Sequence, residues 1–84
     1  MKHHAAPAFW EAFGSLDPMT QKAAKSAFNL MKSDPRHSSV RLKKVGRYWS
    51  ARVGPNHRAV AVEAEDGLVW FWIGHHDPYE RKLS

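Results

Sequence analysis

The segment Gly74-His75-His76-Asp77-Pro78-Tyr79 puts two imidazoles and a phenol directly after an apolar run, Leu68 to Ile73. Imidazole gains and loses a proton near neutral pH, and a phenol can transfer a proton or hydrogen-bond a reacting oxygen. Upstream, Arg52 and Arg58 flank the turn cluster Gly54-Pro55-Asn56-His57. A guanidinium grips phosphate in two-point fashion. Taken alone, the same residues also describe an ordinary strand end and a pair of solubilising arginines. His3, His4, His75 and His76 with Asp77 invite a zinc reading. Adjacent histidines on a strand point to opposite faces, however, and no H-E-x-x-H pattern or cysteine supports them, so no metal and no cofactor is assigned. A phosphate-cradling glycine loop, a cysteine nucleophile and a serine in a nucleophile-elbow context are all absent from the sequence.

Charge adds a direction. The 84 residues carry a net +5. Met1 to Asp34 holds four lysines and three acids, and Glu63 to Ser84 holds five acids against Arg81 and Lys82. Between them, Pro35 to Val62 holds Arg36, Arg41, Lys43, Lys44, Arg47, Arg52 and Arg58 with no acid. Like charges in such a run repel, and a polyanion relieves the repulsion while releasing counterions. A polyanion-binding face is therefore preferred to a merely solvated one.

The elements that must position these groups follow from periodicity. Asp17-Pro18 is a helix start, with Asp as N-cap and Pro where its missing N–H costs nothing. From Met19 to Ser33, Ala23, Ala24, Ala27, Phe28, Leu30 and Met31 share one side and the lysines the other, and Pro35 ends the helix. Ala8 to Phe13 reads as a shorter helix, joined by a turn at Gly14 to Leu16. After Ser39 the period becomes two. Val40 to Val45 is expected as a strand, followed by Tyr48 to Val53 with Trp49, Ala51 and Val53 facing opposite to Tyr48, Ser50 and Arg52. Arg58 to Glu63 alternates, Asp66-Gly67 signals a hairpin, and Leu68 to Ile73 is apolar throughout, as for a strand covered on both faces or used at an interface. Trp70 and Trp72 could stack on bases, but core or interface packing suits so small a domain better.

The expected fold is α+β: a helical hairpin on one face of a three- or four-stranded antiparallel sheet, with Tyr48, Arg52 and Arg58 looking out from the other. One domain spans residues 1–84, with no linker or repeat. The core is thin, since a chain of this size buries only about 60% of its unfolded surface, and no cysteine is present to staple it. No stretch approaches the ~20 apolar residues of a membrane span and no signal-peptide core is visible, so a cytoplasmic protein without a membrane partner is expected.

In order and spacing, Ser33-Asp34-Pro35-Arg36-His37, Leu42-Lys43-Lys44-Val45, Tyr48-Trp49-Ser50-Ala51-Arg52-Val53-Gly54, His57-Arg58-Ala59-Val60 and Trp70 to Tyr79 resemble the RelE/ParE superfamily, the small toxins of bacterial type II toxin–antitoxin modules. The resemblance covers nearly the whole chain. It implies two N-terminal helices on a twisted antiparallel sheet, usually with a short strand before the helices, for which only Lys2 to Ala6 is available. It also implies a cognate antitoxin that wraps the toxin. RelE-like members cut mRNA in the ribosomal A site, whereas ParE-like members inhibit DNA gyrase without a known catalytic set.

Carried over by position, the family's strand-opening arginine looks like Arg58, with His57 in the place of a tyrosine. The basic residue after the last strand looks like His76, with His75 beside it, and the C-terminal tyrosine looks like Tyr79. Lys43, Lys44 and Arg52 look like the residues lining the RNA path, and Arg47 joins them as a backbone contact. The strand that carries lysines in some RelE-like nucleases reads Tyr48-Trp49-Ser50-Ala51-Arg52, without lysine. The preferred expectation is a ribosome-dependent, metal-free mRNA endoribonuclease, with His76 as general acid or base, Tyr79 assisting and Arg58 stabilising the transition state. The alternatives are a non-catalytic gyrase inhibitor and a plain RNA-binding module.

Overall fold

The computed structural model describes residues 2–75. In chain order the elements are β1 (Lys2–Ala5), α1 (Pro7–Gly14), α2 (Pro18–Ser33), β2 (Lys43–Val45), β3 (Tyr48–Val53), β4 (His57–Ala64) and β5 (Gly67–His75). Asp17 caps α2 as its sequence requires: the carboxylate accepts the Thr20 N–H at 2.7 Å, and this bond holds the Asp17 pKa below its ordinary range. The apolar side of α2 buries Ala24 and Met31. Phe9 of α1 meets Phe28 of α2 edge to face, with ring centroids 5.6 Å apart.

The five strands form one sheet in the order β1-β5-β4-β3-β2. β2 to β5 are an antiparallel meander, and β1 lies parallel to β5. The α+β class and the hairpin on one face are as expected. The sheet is wider than the three or four strands expected and mixed rather than purely antiparallel, because the N-terminal strand forms. Lys-His-His-Ala has no strong strand propensity, so pairing makes this strand. The Lys2 N–H donates to the Asp66 carbonyl and the Ala6 N–H to the Trp70 carbonyl, at 3.0 and 2.8 Å. The strand expected over Val40 to Val45 is shorter. Arg41 sits at φ +48° in the left-handed region, which no strand tolerates, and only Lys43–Val45 pairs with β3. Val40 serves the core instead and is fully buried.

The core lies between helices and sheet. Ala51, Val53, Ala59, Ala61, Leu68, Trp70 and Ile73 of the strands meet Phe9, Ala24 and Met31 of the helices. Strict alternation would put Trp70 and Trp72 on the same face of β5. A register shift prevents this: Ala61 pairs with Trp70 and Val60 with Trp72, leaving Phe71 as an extra residue. Trp70 is buried beneath the helices, while Trp72 lies across from Val60 on the second face. The all-apolar run is thus explained by one bulged strand with apolar side chains on both faces.

β1 docks through His3. The Trp70 indole N–H donates to His3 Nδ1 at 3.1 Å, and the two rings stack. Because indole nitrogen can only donate, Nδ1 must be unprotonated. Burial, then the nearby Lys32 ammonium, lowers the His3 pKa from 6.5; burial and His75 lower that of His57. The folded chain therefore binds these protons less readily than the unfolded one. The stability they contribute is complete above the ordinary histidine pKa and falls as pH drops below about 6.5. Thermal unfolding at pH 5 and pH 8 should show this loss, and His3→Phe, which keeps a stacked ring without a titrating group, should reduce it; an unchanged pH dependence in the variant would refute the role of His3.

A second expectation concerns Gly67, which pairs with Lys2. A Cβ here would overlap the Lys2 backbone carbonyl. Gly67→Ala should force β1 away and destabilise the fold by about 1–3 kcal/mol, visible as a lower Tm and as faster amide exchange in residues 2–5.

Candidate functional site

The sheet face turned away from the helices carries the cations singled out by the sequence. β3 and β4 place Arg52 and Arg58 directly opposite each other across the hairpin. Like charges in this relation repel by a few tenths of a kcal/mol to about 1 kcal/mol. Each guanidinium is tethered to backbone: Arg52 Nε donates to the Gly54 carbonyl at 3.2 Å, and Arg58 Nη1 to the His57 carbonyl at 2.9 Å. Among the described residues, neither makes an ion pair with a carboxylate. Both are half-buried, so their charges are only partly screened by water.

The neighbours on this face follow from register. Lys43 pairs with Ser50, on the side that also carries Arg52. Tyr48 lies opposite Val62, its ring 6.0 Å from that of Phe71, and the Arg47 guanidinium stands over the Tyr48 ring at 5.5 Å. Gly74 is the β5 partner of Arg58, and a Cβ on it would lie 2.5 Å from the Trp72 ring, so that indole rests over the glycine beside the arginine pair. A pair of guanidiniums beside one indole, with two more aromatic rings further along the same face, is suited to a phosphate backbone whose bases can stack.

Other candidates are placed elsewhere. Lys44 pairs with Trp49 on the helix side of the sheet. Its ammonium is 3.3 Å from Glu63, which also accepts the Trp49 indole N–H at 2.9 Å. The Trp49 bond, then Lys44, lowers the Glu63 pKa. Lys44 is therefore separated from Lys43, Arg52 and Arg58 by the thickness of the sheet. His57 and His75 face each other on the helix side, with ring centroids 5.5 Å apart, so neither accompanies Arg58. His76 and Tyr79 lie outside the described residues. His3 and His4 are occupied by Trp70 and by Asp66, and among the described residues no group of three or more His, Cys, Asp or Glu side chains could hold a metal.

The model of the ParE-like toxin domain matches residues 18–81. The chain belongs to the ParE-like toxin domain family. This agrees with the RelE/ParE resemblance of its motifs and makes it a toxin of the RelE/ParE superfamily. Solved structures share the fold of this ParE-like chain. A chain of the RelB–RelE antitoxin–toxin complex from Methanococcus jannaschii superposes with a TM-score of 0.72 at 15% identity, covering 96% of this chain and 99% of that one. The YoeB/ParE toxin from Agrobacterium tumefaciens gives 0.67 at 18% identity, covering 90% and 99%. The isolated RelE toxin of Escherichia coli gives 0.62 at 10% identity, covering 96% and 93%. At such identities the likeness concerns the fold alone. No curated protein matches the chain by sequence. No helix among the described residues of the ParE-like chain is long and apolar enough to cross a membrane.

Sequence reasoning missed the parts of the toxin's arginine face that depend on register. Trp72 joins Phe71 on it only because of the bulge in β5. The signal available was the unbroken apolar run itself, since a strand with one fully polar face cannot produce one.

Proposed function

We propose that this ParE-like toxin is a ribosome-dependent endoribonuclease that cuts mRNA without a metal and so inhibits translation, and that a cognate antitoxin holds it inactive. The observation that carries the reading is the Arg52–Arg58 pair: two guanidiniums set opposite each other beside Trp72, on a face that also carries Lys43 and, further along the strands, Arg47, Tyr48 and Phe71. Two like charges held together without a carboxylate among the described residues stabilise an anion better than they stabilise the free fold. In the reaction, the ribose 2′-OH attacks the adjacent phosphorus and the 5′-oxygen departs. Arg58 stabilises the charge on the phosphoryl oxygens. His76 moves the proton and Tyr79 assists, as their positions in the sequence suggest. If the ribosome orients the message, positioning supplies a large part of the acceleration. The antitoxin partner is supported by the RelB–RelE complex of similar fold.

The decisive experiment adds the purified chain to translating ribosomes and maps mRNA ends by primer extension. Cuts within translated codons support the reading. The family match favours one other reading, a gyrase inhibitor of the ParE type, and supercoiling inhibition with intact mRNA would establish that in its place.

The RNA path in this reading comprises Lys43, Arg47 and Arg52. Lys44, on the other face and bonded to Glu63, is left out. Each phosphate contact on a single strand contributes about 0.7 to the slope of log affinity against log salt. Lys43→Ala should reduce the slope for single-stranded RNA by about that amount, and Lys44→Ala should leave it unchanged. Equal effects would show that both faces contact RNA.

A further inference from the structure

A basic cavity lies at the edge of the sheet where β2 falls short of β3. β2 pairs only with Tyr48 to Ser50, and beyond it the loop after α2 takes the place of a strand: the Arg52 N–H donates to the Val40 carbonyl. The loop therefore lies about 5 Å from β3, one strand spacing. Between this loop, α2 and the β3–β4 turn is a cavity of about 630 Å³. Its polar lining is Arg41, Arg52, Ser26, Ser38 and Ser39. No acid lines it, and among the described residues neither arginine makes an ion pair. Arg52 is steadied by its Nε bond to the Gly54 carbonyl, which leaves its Nη donors unspent in that bond.

Arg41 is held in a strained backbone. Its φ of +48° lies in the left-handed region, and among the described residues no other non-glycine residue has a positive φ. The anchorage of the loop keeps it there. Val40 is fully buried, and the Val40 and Arg41 N–H groups both donate to the His37 carbonyl. Glycine or asparagine adopts this backbone more readily. Arginine brings no advantage to the turn, only its charge to the cavity.

We propose that this cavity binds a phosphate monoester of about mononucleotide size. The phosphate sits between the Arg41 and Arg52 guanidiniums with the serine hydroxyls around it. The rest of the ligand packs on Ala23, Ala27 and Leu30, which form the α2 wall. The donor set favours a monoester over the interior of an RNA strand. A monoester near neutral pH carries about 1.5–2 negative charges and three acceptor oxygens, which suits two guanidiniums and three hydroxyls. An internucleotide diester offers a single charge and fewer free oxygens. The α2 wall also suits a ligand that ends in the cavity rather than one that runs through it, and the volume is in the range of small-molecule sites. A free nucleotide and the 5′-phosphate end of an RNA share this chemistry. The inference goes beyond the proposed function and stands whether or not the arginine face cuts RNA.

The test titrates the full chain with adenosine and uridine 5′-monophosphates, the parent nucleosides and inorganic phosphate, following backbone amide shifts by NMR. A monophosphate should shift the amides of Ser38, Ser39, Arg41 and Gly54 and bind at least about tenfold tighter than its nucleoside, since the charge-assisted contacts go with the phosphate. Inorganic phosphate should shift the same amides and bind more weakly than the monophosphates. Arg41→Asn and Arg41→Gly should each weaken monophosphate binding about tenfold or more without lowering the Tm, because both residues accept the left-handed backbone. Two RNA tetranucleotides identify the source. A 5′-phosphorylated strand that binds as tightly as the monophosphates assigns an RNA end and a weaker one assigns a free nucleotide, and both results support the site. Four results would overturn the proposal: no shift of these amides by either monophosphate at millimolar concentration, nucleosides binding as tightly as their monophosphates, affinity retained in both folded Arg41 variants, or a 5′-hydroxyl tetranucleotide shifting these amides as strongly as its phosphorylated counterpart. Cleavage and supercoiling assays on the unmodified chain judge the proposed function separately.

Discussion

Arg58→Gln is expected to slow mRNA cleavage by about a hundredfold or more while leaving the Tm almost unchanged. The two readouts separate because the residue has two relations of opposite sign. Toward RNA, Arg58 supplies charge where charge develops, and losing one such donor typically costs about 10²–10³ in rate, or 2.7–4 kcal/mol of transition-state stabilisation. Toward the fold, it faces Arg52 across the hairpin and gains only a bond to the adjacent His57 carbonyl. Gln keeps much of the stem and removes the repulsion, so the stability change is small. Arg58→Lys should fall between, because an ammonium keeps the charge and loses the planar fork. Primer extension on ribosome-bound message gives the rates and calorimetry the Tm. A Gln variant cutting within about threefold of the parent would remove Arg58 from the mechanism.

Trp70→Ala is expected to destabilise the fold by about 3–5 kcal/mol. This indole is the centre of the packing. It is fully buried, meets Phe28 edge to face at 5.4 Å, and supports β1 through the stack and hydrogen bond to His3. A domain of this length holds only about 0.05–0.15 kcal/mol per residue in total, so the truncation consumes much of its stability. At about 4–8 °C per kcal/mol, the Tm should fall by about 12 °C or more. Trp72→Ala, on the opposite face of the same strand, removes a half-buried ring and should cost distinctly less. Urea unfolding of both variants decides the order. Equal losses would mean that the bulge does not divide the two tryptophans as described.

Local chemistry was legible where it is self-contained. Asp17-Pro18 and Asp34-Pro35 mark the ends of α2 because a cap and a proline act on their nearest neighbours, and the period-two pattern of Tyr48 to Val53 assigned its two faces correctly. The arginine face was legible in part: Arg52 and Arg58 stood out by type and by flanking a turn, but chain order does not state that they are register partners. Lys43 and Lys44 were indistinguishable as adjacent cations; the pleat gives one to the arginine face and the other to Glu63. β1 could not be read from Lys-His-His-Ala, since its strand character comes from Asp66, Gly67 and Trp70, more than sixty residues away. The sequence by itself determined the helical hairpin and the basic middle third, because caps, periodicity and composition act over a few residues, and the order of its motifs carried the resemblance to the RelE/ParE superfamily. Only the tertiary structure decided which cations share a face, where the bulge divides Trp70 from Trp72, and that Arg41 and Arg52 line one cavity beside α2, because strand register and the seating of α2 are set by contacts between distant segments.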